Sequence, residues 1–172
     1  MSSTIYVVDT SYLLELFECE GFCHPKAVIE VRKRFQREAS RGARFFVPLP
    51  CIFELGNHIA DVKHNTKRTK LAQLLLNTVK GSLEKRVPWC ITPTGKPEEI
   101  LPELMDRFVH LAGKRKVGLV DTFTLTEAER LKVRHSGAKS KVHVWTNDSA
   151  LKDHEPDTEA DAFLWKADGS SR

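Results

Sequence analysis

The sequence holds no apolar run approaching the roughly 18 residues a membrane-crossing helix needs, so no membrane association is expected. Its start, "MSSTIY", has no basic region ahead of a short apolar stretch. No signal peptide is therefore expected, and the expected location is cytoplasmic. Neither "GxxxxGK" nor "GxGxxG" occurs, which removes nucleotide binding through a Gly-rich loop. No internal repeat is visible, and the one low-complexity piece is the tail "ADGSSR". Cysteine is sparse: Cys19, Cys23, Cys51 and Cys90. Thiols in a reducing compartment stay free, so no disulfide framework is expected. "CEGFCH" offers Cys19, Cys23 and His24 to zinc but lacks a second close-spaced ligand pair. The favoured reading there is small, half-buried side chains around a turn at Gly21.

What is present reads as one α/β domain. The 172 residues are enough to bury a real core, and 41% hydrophobic with 29% charged is a globular balance. Residues 1–166 are expected to form the domain and 167–172 a flexible tail. Thr4 to Val8 has strand character, and a short helix follows over Ser11 to Glu18. Pro25 opens a longer helix on Val28, Val31 and Phe35, ending near Gly42. "RFFVPL" is a second strand, and Pro50 starts a helix carrying Ile52, Leu55, Ile59 and Val62. After the polar break "KHNTKRTK", another helix runs on Leu71, Leu74, Leu75, Val79 and Leu83. "VPWCIT" is a third strand, "PEEILPELMDRFVHLAG" a helix with an acidic first turn, and a further helix follows Asp121. "KVHVWTND" supplies a fourth strand, and "DAFLW" is read as a fifth. Strands separated by helices predict a mostly parallel sheet, with the ligand site at its carboxyl edge.

Four acids stand at these junctions. Asp9 follows the first strand in "VVDTSYLLEL". Glu54 is read in the first turn of the helix after the second strand, in "PLPCIFELGNHI". Asp121 opens a helix in "GLVDTFTLTEA", and Asp148 follows the fourth strand in "VWTNDSAL". A carboxylate at a buried strand end is costly unless something compensates it. A parallel sheet brings Asp9, Glu54 and Asp148 to one edge, and Asp121 can point there. Such an all-oxygen cluster suits Mg²⁺ or Mn²⁺ rather than zinc. Two such ions about 4 Å apart activate water and stabilise a leaving oxygen in phosphodiester hydrolysis. Competing readings exist for each acid. Asp9 and Asp121 also serve as helix caps, Glu54 as a solvated helix residue, and Asp148 as a turn residue with Asp153 and Asp157 behind it.

With those four segments in this order, the chain resembles the PIN-domain ribonucleases, and is similar to the VapC-type toxins of toxin–antitoxin pairs. The resemblance covers most of the chain. It implies a three-layer α/β/α sandwich around a mostly parallel sheet, and a metal-dependent endoribonuclease using Mg²⁺ or Mn²⁺. The family's four acidic positions map onto Asp9, Glu54, Asp121 and Asp148. Ser11 matches its small hydroxyl residue after the first Asp, and Thr146 and Asn147 are the helpers near the last acid. The resemblance also implies an antitoxin protein partner. A homodimer through the apolar helical faces after Leu71 is a further expectation.

The charge balance agrees with an RNA substrate. Lys and Arg number 27 against 23 acids, a net +4. Setting four of the 23 acids aside as ligands leaves 19 against 27, or +8. Basic clusters lie at Lys63, Lys67, Arg68 and Lys70; at Lys114, Arg115 and Lys116; and at Lys132, Arg134, Lys139 and Lys141. Lys67, Arg68, Lys114, Arg115 and Lys116 are the candidate nucleic-acid contacts, the last three standing just before Asp121. A single Lys in such a run is more often a solvated loop residue. A phosphatase of the haloacid dehalogenase type needs a second Asp where Ser11 stands. The remaining alternative is a non-catalytic PIN-like RNA-binding or scaffold protein.

Overall fold

The computed structural model describes residues 4–93, 95–114 and 117–166. The expected tail, 167–172, lies outside them. Strands and helices alternate as β1 (Thr4–Val8), α1 (Thr10–Leu16), α2 (Pro25–Ser40), β2 (Arg44–Pro48), α3 (Leu49–Ala60), α4 (Asn65–Lys85), β3 (Cys90–Thr92), α5 (Pro97–Lys114), α6 (Leu119–Arg134), β4 (Lys141–Trp145) and α7 (Ser149–Lys152). The sheet order is β3-β2-β1-β4, and every pairing is parallel. Parallel neighbours need crossovers, and the helices supply them.

Strand side chains alternate between faces, so a strand covered on both sides is apolar throughout. Tyr6, Val8, Phe45, Val47 and Trp145 form one core with Leu13, Val31 and Leu55 of α1, α2 and α3. Ile5, Val7, Phe46, Val142 and Val144 form the other with Leu125, Ala128 and Leu131 of α6. The result is the expected three-layer α/β/α sandwich. No described helix is long and apolar enough to cross a membrane.

Some elements differ from the sequence reading. α4 begins at Asn65, so most of "KHNTKRTK" is its first turns rather than a break. β3 is shorter than expected and begins only at Cys90. Because α3 begins at Leu49, Glu54 sits in its second turn rather than its first. "DAFLW" forms no strand beyond a single bridge residue at Trp165. The free edge of β4 explains this. Its Val144 N–H donates to Glu155 Oε2 at 2.9 Å and its Val142 N–H to Asp157 Oδ2 at 2.8 Å. Carboxylates thus satisfy the groups a fifth strand would have paired, and they blunt the edge with charge. Phe163 and Trp165 pack onto the first core instead, and Tyr12 Oη donates to the Phe163 carbonyl at 2.7 Å.

Candidate active site

Three strands finish together at the carboxyl edge. Asp9, Leu49 and Thr146 are the residues after β1, β2 and β4. Pairing runs one residue past β1, since the Asp9 N–H bonds the Trp145 carbonyl at 2.9 Å. Extended backbone at Asp9 (φ −80°, ψ 163°) then makes it the N-cap of α1. Its side chain is buried, 6% exposed. Oδ2 accepts from Ser11 Oγ at 2.9 Å, Thr146 Oγ1 at 3.0 Å and the Ser11 N–H at 3.4 Å. Oδ1 lies 3.9 Å from the Cys51 thiol, a weak donor. Burial pushes the carboxyl up despite the bonds from Ser11, Thr10 and Thr146. Among the described residues no cation pairs with it.

Ser11 and Thr146 do two jobs each. Ser11 Oγ donates to Asp9 and accepts the Asn147 N–H at 2.9 Å. Thr146 Oγ1 donates to Asp9 and accepts the Asp148 N–H at 3.0 Å. The two hydroxyls therefore tie the β4–α7 turn to Asp9. The Asn147 side chain turns the other way, its Oδ1 accepting the Trp165 N–H at 2.6 Å.

The other three acids sit on the elements that surround Asp9. Glu54 Oε2 accepts from Thr10 Oγ1 at 2.6 Å, which links α3 to the start of α1. Asp121 is the third residue of α6, and its Oδ2 accepts the Gly118 N–H at 3.1 Å. Gly118 allows that approach, since a Cβ there would stand 3.2 Å from the same oxygen. Asp148 caps α7, Oδ1 accepting from Ala150 at 2.7 Å and Leu151 at 3.4 Å. The capping readings of Asp9 and Asp121 thus hold alongside any other role, and Asp148, read as a turn residue, is itself a cap. The acids also sense one another. Partial burial, then the charge of Asp9, then those of Asp148 and Glu54 push Asp121 up to about 6, against the Gly118 N–H. Yet among the described residues no three His, Cys, Asp or Glu side chains stand assembled to hold a metal ion. That includes Cys19, Cys23 and His24. Burial pushes both thiols up, and the segment turns at Gly21 (φ 88°) as the turn reading expects.

Of the two acids behind Asp148, Asp157 faces the β4 edge and pairs with Lys132 at 2.7 Å. Asp153 is exposed. Lys67 pairs with Glu20 at 3.1 Å, and Arg68 Nη1 donates to the Val62 carbonyl at 3.0 Å. Lys114 ends α5, while Arg115 and Lys116 lie outside the described residues. Two contacts at the site escaped the sequence reading. Thr10, a hydroxyl residue at the start of α1, reaches Glu54. Cys51, which touches Asp9, had a readable signal: it is three residues before Glu54, on the same helical face. In comparisons with known proteins, no family model matches the chain, and no curated protein matches it.

Proposed function

We propose that the chain is a Mg²⁺- or Mn²⁺-dependent endoribonuclease of the PIN-domain kind. The observation that carries the proposal is Asp9. It is a buried carboxylate held by hydroxyl and backbone donors, with no cationic partner among the described residues, at the sheet edge where Asp121 senses three acids. The donor chemistry fits a hard divalent cation. Mg²⁺ is commonly held by one or two carboxylates together with waters and substrate phosphates, not by an all-protein cage. A preassembled group of three ligands is therefore not required. Asp9 and Asp121 would hold the ion, with Glu54 and Asp148 beside them. When bound, the metal supplies Lewis acidity for phosphodiester hydrolysis. Ser11 and Thr146 donate to the Asp9 carboxylate and fix its orientation. The reading carries with it a cytoplasmic site of action, an RNA substrate and an antitoxin partner.

A second reading, a non-catalytic PIN-like RNA-binding or scaffold protein, is favoured by one observation: the acids are not assembled into a three-ligand group. One assay separates the two. Purified chain is incubated with single-stranded RNA in Mg²⁺, in Mn²⁺ and in chelator, beside Asp9→Asn. Cleavage that needs metal and Asp9 is the expected result. RNA binding without cleavage in either metal favours the scaffold. Cleavage that survives both chelator and Asp9→Asn overturns the metal mechanism.

A further inference from the structure

Arginines separate this molecule into two classes. Arg32, Arg34, Arg37, Arg41, Arg107 and Arg130 each hold a carboxylate. Arg68 holds a backbone carbonyl. Among the described residues, the arginines that hold neither a carboxylate nor a backbone carbonyl are Arg44, Arg86 and Arg134. These three converge. Together with His135 they line one concavity of about 450 Å³, floored by Phe46, Cys90 and Ile91, and no carboxylate lines it.

Each cation arrives from a different element. Arg44 opens β2, Arg86 follows the last turn of α4, and Arg134 ends α6. Arg44 is held in place from two sides. Its guanidinium lies 5.2 Å from the Phe46 ring centre, and its Nη2 stands 3.3 Å from His135 Nε2. Partial burial, then Arg44 and Arg134, push the His135 imidazole down, which favours the neutral ring, the form with a nitrogen able to accept from Arg44. Arg86 has a left-handed backbone (φ 56°), uncommon for a residue with a side chain. The chain reverses sharply there, and a Cβ on Gly81 would lie 2.9 Å from the Val87 carbonyl oxygen. Helix dipoles favour cations at the ends of α4 and α6. They do not account for Arg44, which opens a strand, nor for a cavity wall without acids.

We propose that Arg44, Arg86, Arg134 and His135 form a binding site for a phosphate group. Planar guanidinium forks match phosphate oxygens in pairs, and three of them around one concavity suit a dianion. The site is separate from the acid edge. Asp121 and Arg134 stand at opposite ends of α6, thirteen residues and roughly 20 Å apart at the helical rise. The proposal does not rest on the nuclease reading. The phosphate has two sources, a nucleic-acid backbone or a free phosphorylated small molecule.

The test follows the His135 ring resonances by NMR, in the parent and in Asp9→Asn. Inorganic phosphate is titrated against chloride at matched ionic strength, and a short single-stranded oligoribonucleotide forms the second arm. Saturable movement is expected with at least one probe, equally in both proteins. The double variant Arg86→Gln/Arg134→Gln, its fold checked by the amide spectrum, should bind at least about tenfold more weakly. Arg44→Gln alone should weaken binding in the same direction. A response to the oligonucleotide that outcompetes phosphate assigns the backbone as the source. A response to phosphate alone assigns the small molecule. No saturable movement with either probe, or variants that bind like the parent, overturns the proposal.

Discussion

Two groups of acids lie a few residues apart in this molecule, and they are treated in opposite ways. Along the free edge of β4, Glu155, Asp157 and Glu159 are matched with cations. Lys152 Nζ lies 2.8 Å from Glu155 and 2.6 Å from Glu159, Arg34 lies 3.0 Å from Glu159, and Lys132 holds Asp157. Burial alone would raise Glu159, but Lys152, the Trp145 indole N–H and Arg34 outweigh it and bring the carboxyl down. Asp157 is lowered in the same way by Lys132 and the Val142 N–H, against its burial. At the carboxyl edge the balance runs the other way. Asp9 and Asp121 are raised, and hydroxyls, backbone N–H groups and other acids surround them. The first group serves the fold. The second costs the fold something, which is the usual mark of a site kept for chemistry. A missing cation is not the whole criterion. Glu15 is also buried and raised, with both oxygens on the His24 N–H, but no acid acts on it there. What sets Asp9 apart is that its charge acts on a second raised carboxylate, Asp121.

The largest effect should come from breaking the compensated group. Lys152→Met removes the cation shared by Glu155 and Glu159 and leaves their charges buried. Loss of one partner from a buried pair costs roughly 3–5 kcal/mol. Chemical denaturation of the variant should show a loss of that order, and a variant as stable as its parent would mean that these ion pairs are not what holds the β4 edge. Next comes Asp9→Asn at the uncompensated group, where the effect should fall on activity and not on stability. Replacing residues that merely support a metal ligand costs 10- to 100-fold, so loss of the ligand itself should exceed about 100-fold in RNA cleavage. The melting temperature should hold or rise. A large fall in melting temperature would show that Asp9 is structural after all.

Smaller is the expected effect of Thr146→Val. It keeps the shape of the side chain but removes the donor to Asp9 Oδ2 and the acceptor for the Asp148 N–H. Cleavage should drop by roughly 10-fold, within the range for partners that orient a ligand. Ser11→Ala should behave alike, and the pair together should exceed either. Unchanged cleavage in both would mean that the Asp9 carboxylate needs no such orientation.

The two groups also differ in how far the sequence discloses them. Asp9 and Asp148 are local to strand ends, so strand recognition locates them, while Ser11 and Thr146 beside them were pointed to by the family resemblance. The layers follow for the same reason, because β1, β2 and β4 are apolar on both faces. The β4 edge was not legible. Its ion pairs join residues 34, 132 and 152 to a segment at 155–159, and no periodicity records such contacts. Asp157 looked like a stand-in for Asp148 until Lys132 was placed against it. "DAFLW" looked like a strand because its composition is that of one. Carboxylate side chains had already taken the backbone groups it would have paired with.

The smallest effect separates the groups by the sign of a pH dependence. A carboxyl lowered by folding, such as Glu159, adds stability above its unfolded value. That stability is lost as pH falls through the folded value, in acid. Asp121 is raised to about 6 from an ordinary 3.8, so its charge opposes folding fully above pH 6. That opposition fades as pH falls through the folded value and is mostly gone near pH 4, where the folded group is protonated and the unfolded one is close to half ionised. Asp121→Asn, studied in chelator, should therefore be more stable than the parent at pH 7. The gain should be about 1 kcal/mol once solvent screening of a half-buried group is allowed for. It should shrink to a small fraction of that near pH 4. The Gly118 N–H keeps an acceptor in the variant, because the Asn side-chain oxygen can take its place. In millimolar Mg²⁺ the gain should shrink or reverse, since the parent then has binding free energy that the variant lacks. Denaturation curves of both proteins at pH 4 and pH 7, with and without metal, measure all four values. A gain that is the same at both pH values would trace it to something other than charge. A gain that metal leaves untouched would place Asp121 outside any metal site.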